Sequence, residues 1–202
     1  MTEVVVIRTG TANLASVGAA LERAGRAVRF SEDPADAEGA NLVVLPGVGA
    51  FGTVAGRLDE LRLREGLTRR IAAGRPTLAI CLGLQLLAAS SAENPGARGL
   101  GVVPATATGF RDGLRVPHLG WNRVTAGDGC SLLVDGDAYF ANSYKLDEVP
   151  AGWAGATTDH GGTFVAALER GPVLGCQFHP ELSGAWGQAL IERWLAAASG
   201  VV

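Results

Sequence analysis

Apolar residues recur along this chain with two different periods, and the change from one to the other marks out its elements. Val4-Val5-Val6-Ile7 is a continuous apolar run of strand length, followed by the loop Arg8–Asn13. Leu14, Val17, Ala20, Leu21 and Ala24 then fall three and four apart, the stripe of a helix, and Gly25 supplies its stop. Ala27–Phe30 and Asn41–Leu45 predict two more strands. The second runs into Pro46-Gly47-Val48-Gly49-Ala50-Phe51, where proline and glycine break any regular element. Helical spacing returns from Thr53 to Ala73. Pro76–Ile80 then predicts a buried strand and Leu82–Ala89, rich in helix formers, the helix after it. Strand and helix in alternation predict an α/β fold with a mostly parallel doubly wound sheet and flanking helices.

The texture changes beyond Pro104, where apolar runs shorten between Gly, Asp and Pro. Val102–Thr108, Asn122–Thr125, Tyr139–Ser143, Thr163–Leu168 and Val173–Phe178 predict strands, and Asp159-His160-Gly161-Gly162 a turn joining two of them. An antiparallel β section is therefore expected in the second half. Gly184–Ala198 closes the chain with a broad apolar helical stripe. Asn94–Ala97 reads as a loop, and with no repeat, linker or low-complexity stretch the expectation is a single domain over 1–202.

Composition narrows the function. With 202 residues and 48% hydrophobic content the chain can bury a substantial core. A net charge of -3 without any basic run argues against a nucleic-acid surface. The N-terminal apolar run is too short to span a membrane and has no basic region ahead of it. Three cysteines, Cys81, Cys130 and Cys176, are an odd number without metal-ligand spacing. The expectations are a reducing cytoplasm, no metal and no cofactor.

Candidate chemistry gathers on Cys81, at the join of a predicted strand and helix. Ala79 and Gly83 are the small neighbours that a tight strand-to-helix turn needs to lift a nucleophile clear. A thiol facing a helix N-terminus is favoured as thiolate. Taken alone, Cys81 also suits inert core packing. A partner base appears 98 positions downstream in Gln177-Phe178-His179-Pro180-Glu181. Residues two apart in an extended segment share a side, and Pro180 disfavours helix at His179. Glu181 can then orient His179, which exchanges a proton with the thiol, although the pair also suits a strand cap. His118 and His160 read as turn residues.

Cys81-Leu82-Gly83-x-Gln85 at an elbow with His179-Pro180-Glu181 near the end resembles the triad-type, class I glutamine amidotransferases. Pro46–Phe51, Pro117-His118-Leu119-Gly120-Trp121-Asn122 and Tyr139-Phe140-x-x-Ser143-Tyr144 are similar to the glutaminase subunits of imidazole glycerol phosphate synthase, and the resemblance covers nearly the whole chain. It implies a subunit that hydrolyses glutamine to glutamate and ammonia. The ammonia passes to a separate cyclase partner, forming a heterodimer in histidine biosynthesis. By position, Cys81 is implied as nucleophile, His179 as acid and base, Glu181 as orienting group, and the backbone N–H groups of Val48 and Leu82 as oxyanion hole. Gly47, Gly49, Gln85, Ser143 and Tyr144 are implied to bind glutamine, and Asn13, Trp121, Asn122 and Tyr139 to face the cyclase. Arg8, Ala79, Asn142 and Leu182 depart from residues common in that family, and none of the four is a triad member. Alternatives sharing the motifs are an amidotransferase feeding another synthase, a γ-glutamyl peptide hydrolase and an inactive binding module.

Overall fold

The computed structural model describes residues 3–10 and 12–200; Met1 and Thr2, ahead of the first strand, and Thr11, inside the expected first loop, lie outside the described residues. In chain order the first half runs β1 (Glu3–Ile7), α1 (Leu14–Arg23), β2 (Ala27–Ser31), α2 (Pro34–Gly39), β3 (Leu42–Gly47), α3 (Phe51–Glu60), α4 (Arg64–Ala72), β4 (Thr77–Cys81), α5 (Leu82–Leu87) and β5 (Ala88–Ser91). The second half adds β6 (Val103–Gly109), β7 (His118–Ala126), β8 (Gly136–Asn142), β9 (Tyr144–Lys145), β10 (Ala154–Asp159), β11 (Thr163–Arg170), β12 (Val173–Cys176) and α6 (Gly184–Ala198).

Nine strands form one sheet in the order β2-β1-β3-β4-β12-β11-β10-β7-β8. The first five are parallel and the last four antiparallel, so the sheet is mixed in nearly equal parts. The antiparallel section expected in the second half is thus joined to the parallel sheet, with four of the sheet's five second-half members extending one edge. The fifth, β12, does the opposite. It enters the centre parallel to β4, with Gly175 opposite Ala79 and Cys176 opposite Ile80. A small second sheet, β5-β6-β9, lies apart from it.

Both faces of the central strands are buried, which is why their sequences are continuous apolar runs and not alternating ones. Val4, Val6, Val44, Leu78 and Ile80 pack on one side with Val17 and Leu21 of α1 and Leu190 and Trp194 of α6. Val5, Ile7, Val43, Leu45 and Ala79 pack on the other with Phe51, Val54 and Leu58 of α3, Leu67 and Ile71 of α4 and Leu84 of α5.

Several expectations are corrected. The helical stretch Thr53–Ala73 is two helices, because Arg62 takes φ 56 and Leu63 N–H closes back on the Leu58 carbonyl at 2.8 Å. The helix after Cys81 stops at Leu87, since Ala88–Ser91 is drawn into pairing with β6. Asn122–Thr125 is the middle of the longer β7, so His118 lies in a strand and not a turn. The Asp159–Gly162 turn is present, but the strand before it, β10, carries too few large apolar residues to be legible. The short α2 was also missed, although Asp33 caps it by accepting from Ala35 N–H at 2.8 Å and Pro34 starts it.

Candidate active site

Cys81 ends β4 and Leu82 begins α5, so the chain reverses from strand to helix within one peptide. The reversal leaves Cys81 at φ 55 and ψ -108, a conformation that costs a residue with a side chain about 1–3 kcal/mol. Gly83 permits it: a Cβ there would collide with the Leu45 carbonyl oxygen of β3. The sulfur faces a cavity of about 280 Å³ beyond the carboxyl ends of β3 and β4, where open α/β sheets place ligands.

The parallel β4–β12 register carries the chain after Cys176 directly past Cys81. His179 is extended, at φ -99 and ψ 95, as a residue before proline should be. Pro180–Leu182 is a single 3-10 turn, however, so Glu181 reaches His179 by curling back and not from an extended strand. That corrects the expected geometry and keeps the expected contact: Nδ1 of His179 lies 2.8 Å from Oε1 of Glu181. Both side chains are buried, His179 at 7% and Glu181 at 2% exposed. Burial alone would pull the His179 pKa down, yet hydrogen bonding with Cys81 and Glu181 outweighs it and raises the value to about 10. The imidazole is thus held in its protonated form near neutral pH, with Nδ1 committed to Glu181.

Val48, Gly49, Leu82, Gln85, Ser143 and Tyr144 all line the cavity with Cys81. Gly47 does not. It is buried at the end of β3, paired with Cys81 in register and packed against Leu82, so it backs the elbow instead of touching the cavity. Two further lining residues were given no role by the sequence, Asn142 having been marked only as a departure from the family pattern. Glu93 brings a carboxylate to the cavity while its Oε2 accepts the Phe51 N–H at 2.8 Å. Asn142 also lines it, and its Nδ2 donates to the Tyr144 carbonyl at 3.0 Å. A lone acid or amide outside any periodic pattern cannot be placed before the loops are folded.

His118 and His160 form a separate cluster, their rings stacked at 4.4 Å. Burial, then the neighbouring His160, lowers the His118 pKa to about 4, so it is a neutral packing residue. Among the described residues no group of three or more His, Cys, Asp or Glu could hold a metal ion.

The four residues expected to face a partner divide. Trp121 is 59% exposed and stands opposite Tyr139 across β7 and β8, their rings edge to face at 6.2 Å. Leu119, two residues along the same strand, is also exposed. Asn122 points the other way, its Nδ2 donating to the Asp159 carbonyl at 2.7 Å and pairing with His118 Nε2. Asn13 caps α1 by accepting from Ser16 N–H. Tyr139 connects the exposed face to the site: its carbonyl accepts from His179 N–H at 2.9 Å and its N–H donates to Ser183 Oγ at 3.0 Å.

A strained cysteine at a strand-helix elbow, with a carboxylate-backed histidine beside it, has the geometry of a thiol-dependent acyl-transfer site. Residues 7–198 match the family described as glutamine amidotransferase class-I. The chain is 40% identical over 195 residues to the imidazole glycerol phosphate synthase subunit HisH of Streptococcus gordonii, covering 94% of each protein. It is 42% identical over 186 residues to the HisH subunit of Thermus thermophilus, covering 92% of this chain and 93% of that one. The chloroplastic hisHF synthase of Arabidopsis thaliana is 37% identical over 95% of this chain, which spans 34% of the plant protein. In fold, the chain is similar to a crystal structure of a glutamine amidotransferase, with TM-score 0.78, 21% identity and coverage of 96% and 98%. It is likewise similar to the PurLQS structure from Thermotoga maritima, with TM-score 0.75, 17% identity and coverage of 96% and 97%. The chain belongs to the class-I glutamine amidotransferase family, among the relatives named imidazole glycerol phosphate synthase subunit HisH.

Proposed function

We propose that this chain hydrolyses glutamine at Cys81 and delivers the ammonia to a cyclase subunit, as the amidotransferase half of an imidazole glycerol phosphate synthase in histidine biosynthesis. The observation that carries the reading is the elbow: Cys81 is held at positive φ over a cavity, with His179 and Glu181 beside it. The Cys81 sulfur attacks the side-chain carboxamide carbon, and the carbonyl oxygen becomes an oxyanion met by the N–H groups of Val48 and Leu82. Leu82 is the first residue of α5, where helix N–H groups have no partner within the helix. Each such donor contributes about 10²–10³ in rate. His179 gives its proton to the departing ammonia, leaving a thioester. It then accepts a proton from water, whose oxygen adds to the thioester carbon, and the sulfur leaves with glutamate released. Glu93 is the cavity's complement for the substrate's ammonium group, with Gln85, Ser143 and Tyr144 supplying polar contacts.

Ammonia released to water would be protonated and lose its lone pair, so the product has to be used by a docked enzyme. The long hisHF relative supports this, since two thirds of it lies beyond the part similar to this chain. The face of exposed Leu119 and Trp121 with half-buried Tyr139, bonded through Tyr139 to the His179 turn, is the docking surface of this reading. The test is Cys81→Ala in complex with a histidine-pathway cyclase. Synthesis from glutamine should fall about 10⁴-fold or more, while synthesis from added ammonium salt persists. Undiminished glutamine-dependent synthesis would exclude Cys81 as nucleophile.

A further inference from the structure

Gln177 was not assigned any part in the chemistry, yet its side chain is fully buried beside the nucleophile. Its Nε2 lies 3.8 Å from the Cys81 sulfur, and its Oε1 lies 3.1 Å from Nε2 of Gln85. Gln85 in turn reaches the Tyr144 carbonyl at 2.8 Å. An amide's oxygen and nitrogen look alike in shape, so the direction of such a chain must come from its chemistry. A backbone carbonyl only accepts. Tyr144 therefore requires the NH₂ end of Gln85, and Asn142 donates to that same carbonyl. With its NH₂ end committed there, Gln85 also donates to Gln177, which must present its oxygen. The Gln177 NH₂ group is left facing sulfur.

We propose that Gln177 is a positioning residue for the nucleophile: held by Gln85, it donates an amide N–H to the Cys81 sulfur and keeps that sulfur aimed into the glutamine cavity. The inference rests on the glutaminase reading above and deepens it. The sulfur has a second neighbour, the Ala141 carbonyl at 4.0 Å, towards which a thiol S–H can donate. As a thiolate beside protonated His179, sulfur can only accept, and a hydrogen bond to a charged acceptor is stronger than one to a neutral group. Gln177 thus acts on the reactive thiolate form and the Ala141 carbonyl on the thiol form. Its register position explains the reach: Gln177 follows Cys176, which pairs with Ile80, so it comes level with Cys81. Because Gln85 lines the cavity, bound substrate and sulfur are linked through two amides.

Two variants separate positioning from packing. Gln177→Met keeps the length of the side chain and removes the donor. Gln177→Glu keeps the shape and turns an oxygen towards sulfur. Each is measured for kcat and KM with glutamine in the cyclase-bound complex, and for the pH profile of Cys81 alkylation by iodoacetamide, quantified by mass spectrometry. For Gln177→Met, kcat should fall about tenfold with KM within about threefold, as expected for a lost hydrogen bond to a charged group. Half-maximal alkylation should move about one pH unit upward, and further for Gln177→Glu, where the carboxylate opposes a charged sulfur. A filler of space would leave the alkylation profile unmoved. Wild-type profiles in both variants, a rise in KM with kcat unchanged, or failure of both variants to fold would each overturn the proposal. Alkylation needs no glutamine, so an alkylation shift without glutaminase activity in the wild-type complex would sink the glutaminase reading and spare the role of Gln177.

Discussion

Cys81 pays for its position in backbone strain, and that strain is what marks it at the level of single residues. Of the three cysteines, Cys176 is wholly buried and burial pushes its pKa well up, while Cys130 is raised in the same direction by burial, with Glu169 adding to it. Only Cys81 opens on the cavity and has a raised-pKa histidine at hand. The histidine sets a pH prediction. With its pKa raised to about 10, His179 stays protonated through neutral pH and loses its proton as pH rises through that value. Since acylation needs that proton for the leaving ammonia, the alkaline limb of kcat/KM should lie near pH 10 in the wild type. Glu181→Gln removes one of the two groups that, with Cys81, hold the proton against burial, so the limb should move to lower pH. Measured pH-rate profiles check this, and a limb unmoved by Glu181→Gln would show that Glu181 does not hold the proton on His179. The proposed triad residues Cys81, His179 and Glu181 were legible in the sequence because each lies in a motif. Glu93 was not, and the parts of Asn142 and Gln177 were not, because they depend on which loops and strands come together in space.

Elements matter next. The Pro46–Phe51 turn carries Val48 and Gly49 into the cavity wall, and Gly49 takes φ 90. The glycine neighbours leave the Val48 peptide free to turn its N–H towards or away from the oxyanion. We expect the isolated chain to be a poor glutaminase, stimulated about a hundredfold or more when a cyclase carrying a substrate analogue docks. Steady-state glutamate production with and without that complex checks it, and equal rates would remove the account of the turn. Elsewhere, α2, α4 and the starts of β3 and β4 are tied by Arg70. It is 1% exposed and donates to the carbonyls of Glu38, Ala40, Asn41 and Pro76 and to Thr77 Oγ1. Arg75 also donates to the Glu38 and Ala40 carbonyls, whereas among these side chains Arg70 alone reaches Asn41 and Pro76. Arg70→Met should cost about 3–5 kcal/mol and lower the melting midpoint by about 10 °C, read by thermal unfolding. A midpoint within 2–3 °C, roughly the scatter of a surface substitution, would contradict it. Elements with strong periodicity, such as α6, match their expected bounds; α2 and β10 escaped because six-residue segments without large apolar residues have no period to read.

Across the whole molecule, one strand makes the site. The alternating first half builds the parallel sheet and the elbow, and nothing in that half supplies a histidine. The chain must travel out through β6 to β11 and return in β12, beside β4, before His179 and Glu181 meet Cys81. That return could not be read from periodicity, since an apolar run does not announce its neighbour; it was implied only by the resemblance. The same excursion places exposed Trp121 opposite half-buried Tyr139, whose carbonyl accepts from His179 N–H. The central claim is that this architecture exists to make Cys81 a nucleophile for the glutamine side chain. The most direct measurement is labelling of the cyclase-bound chain with a chloroketone analogue of glutamine, followed by digestion and mass spectrometry. The account predicts one label per chain, on Cys81, slowed by added glutamine and matched by loss of glutamine-dependent activity. Labelling confined to Cys130 or Cys176, or full activity after Cys81 is completely labelled, would contradict it.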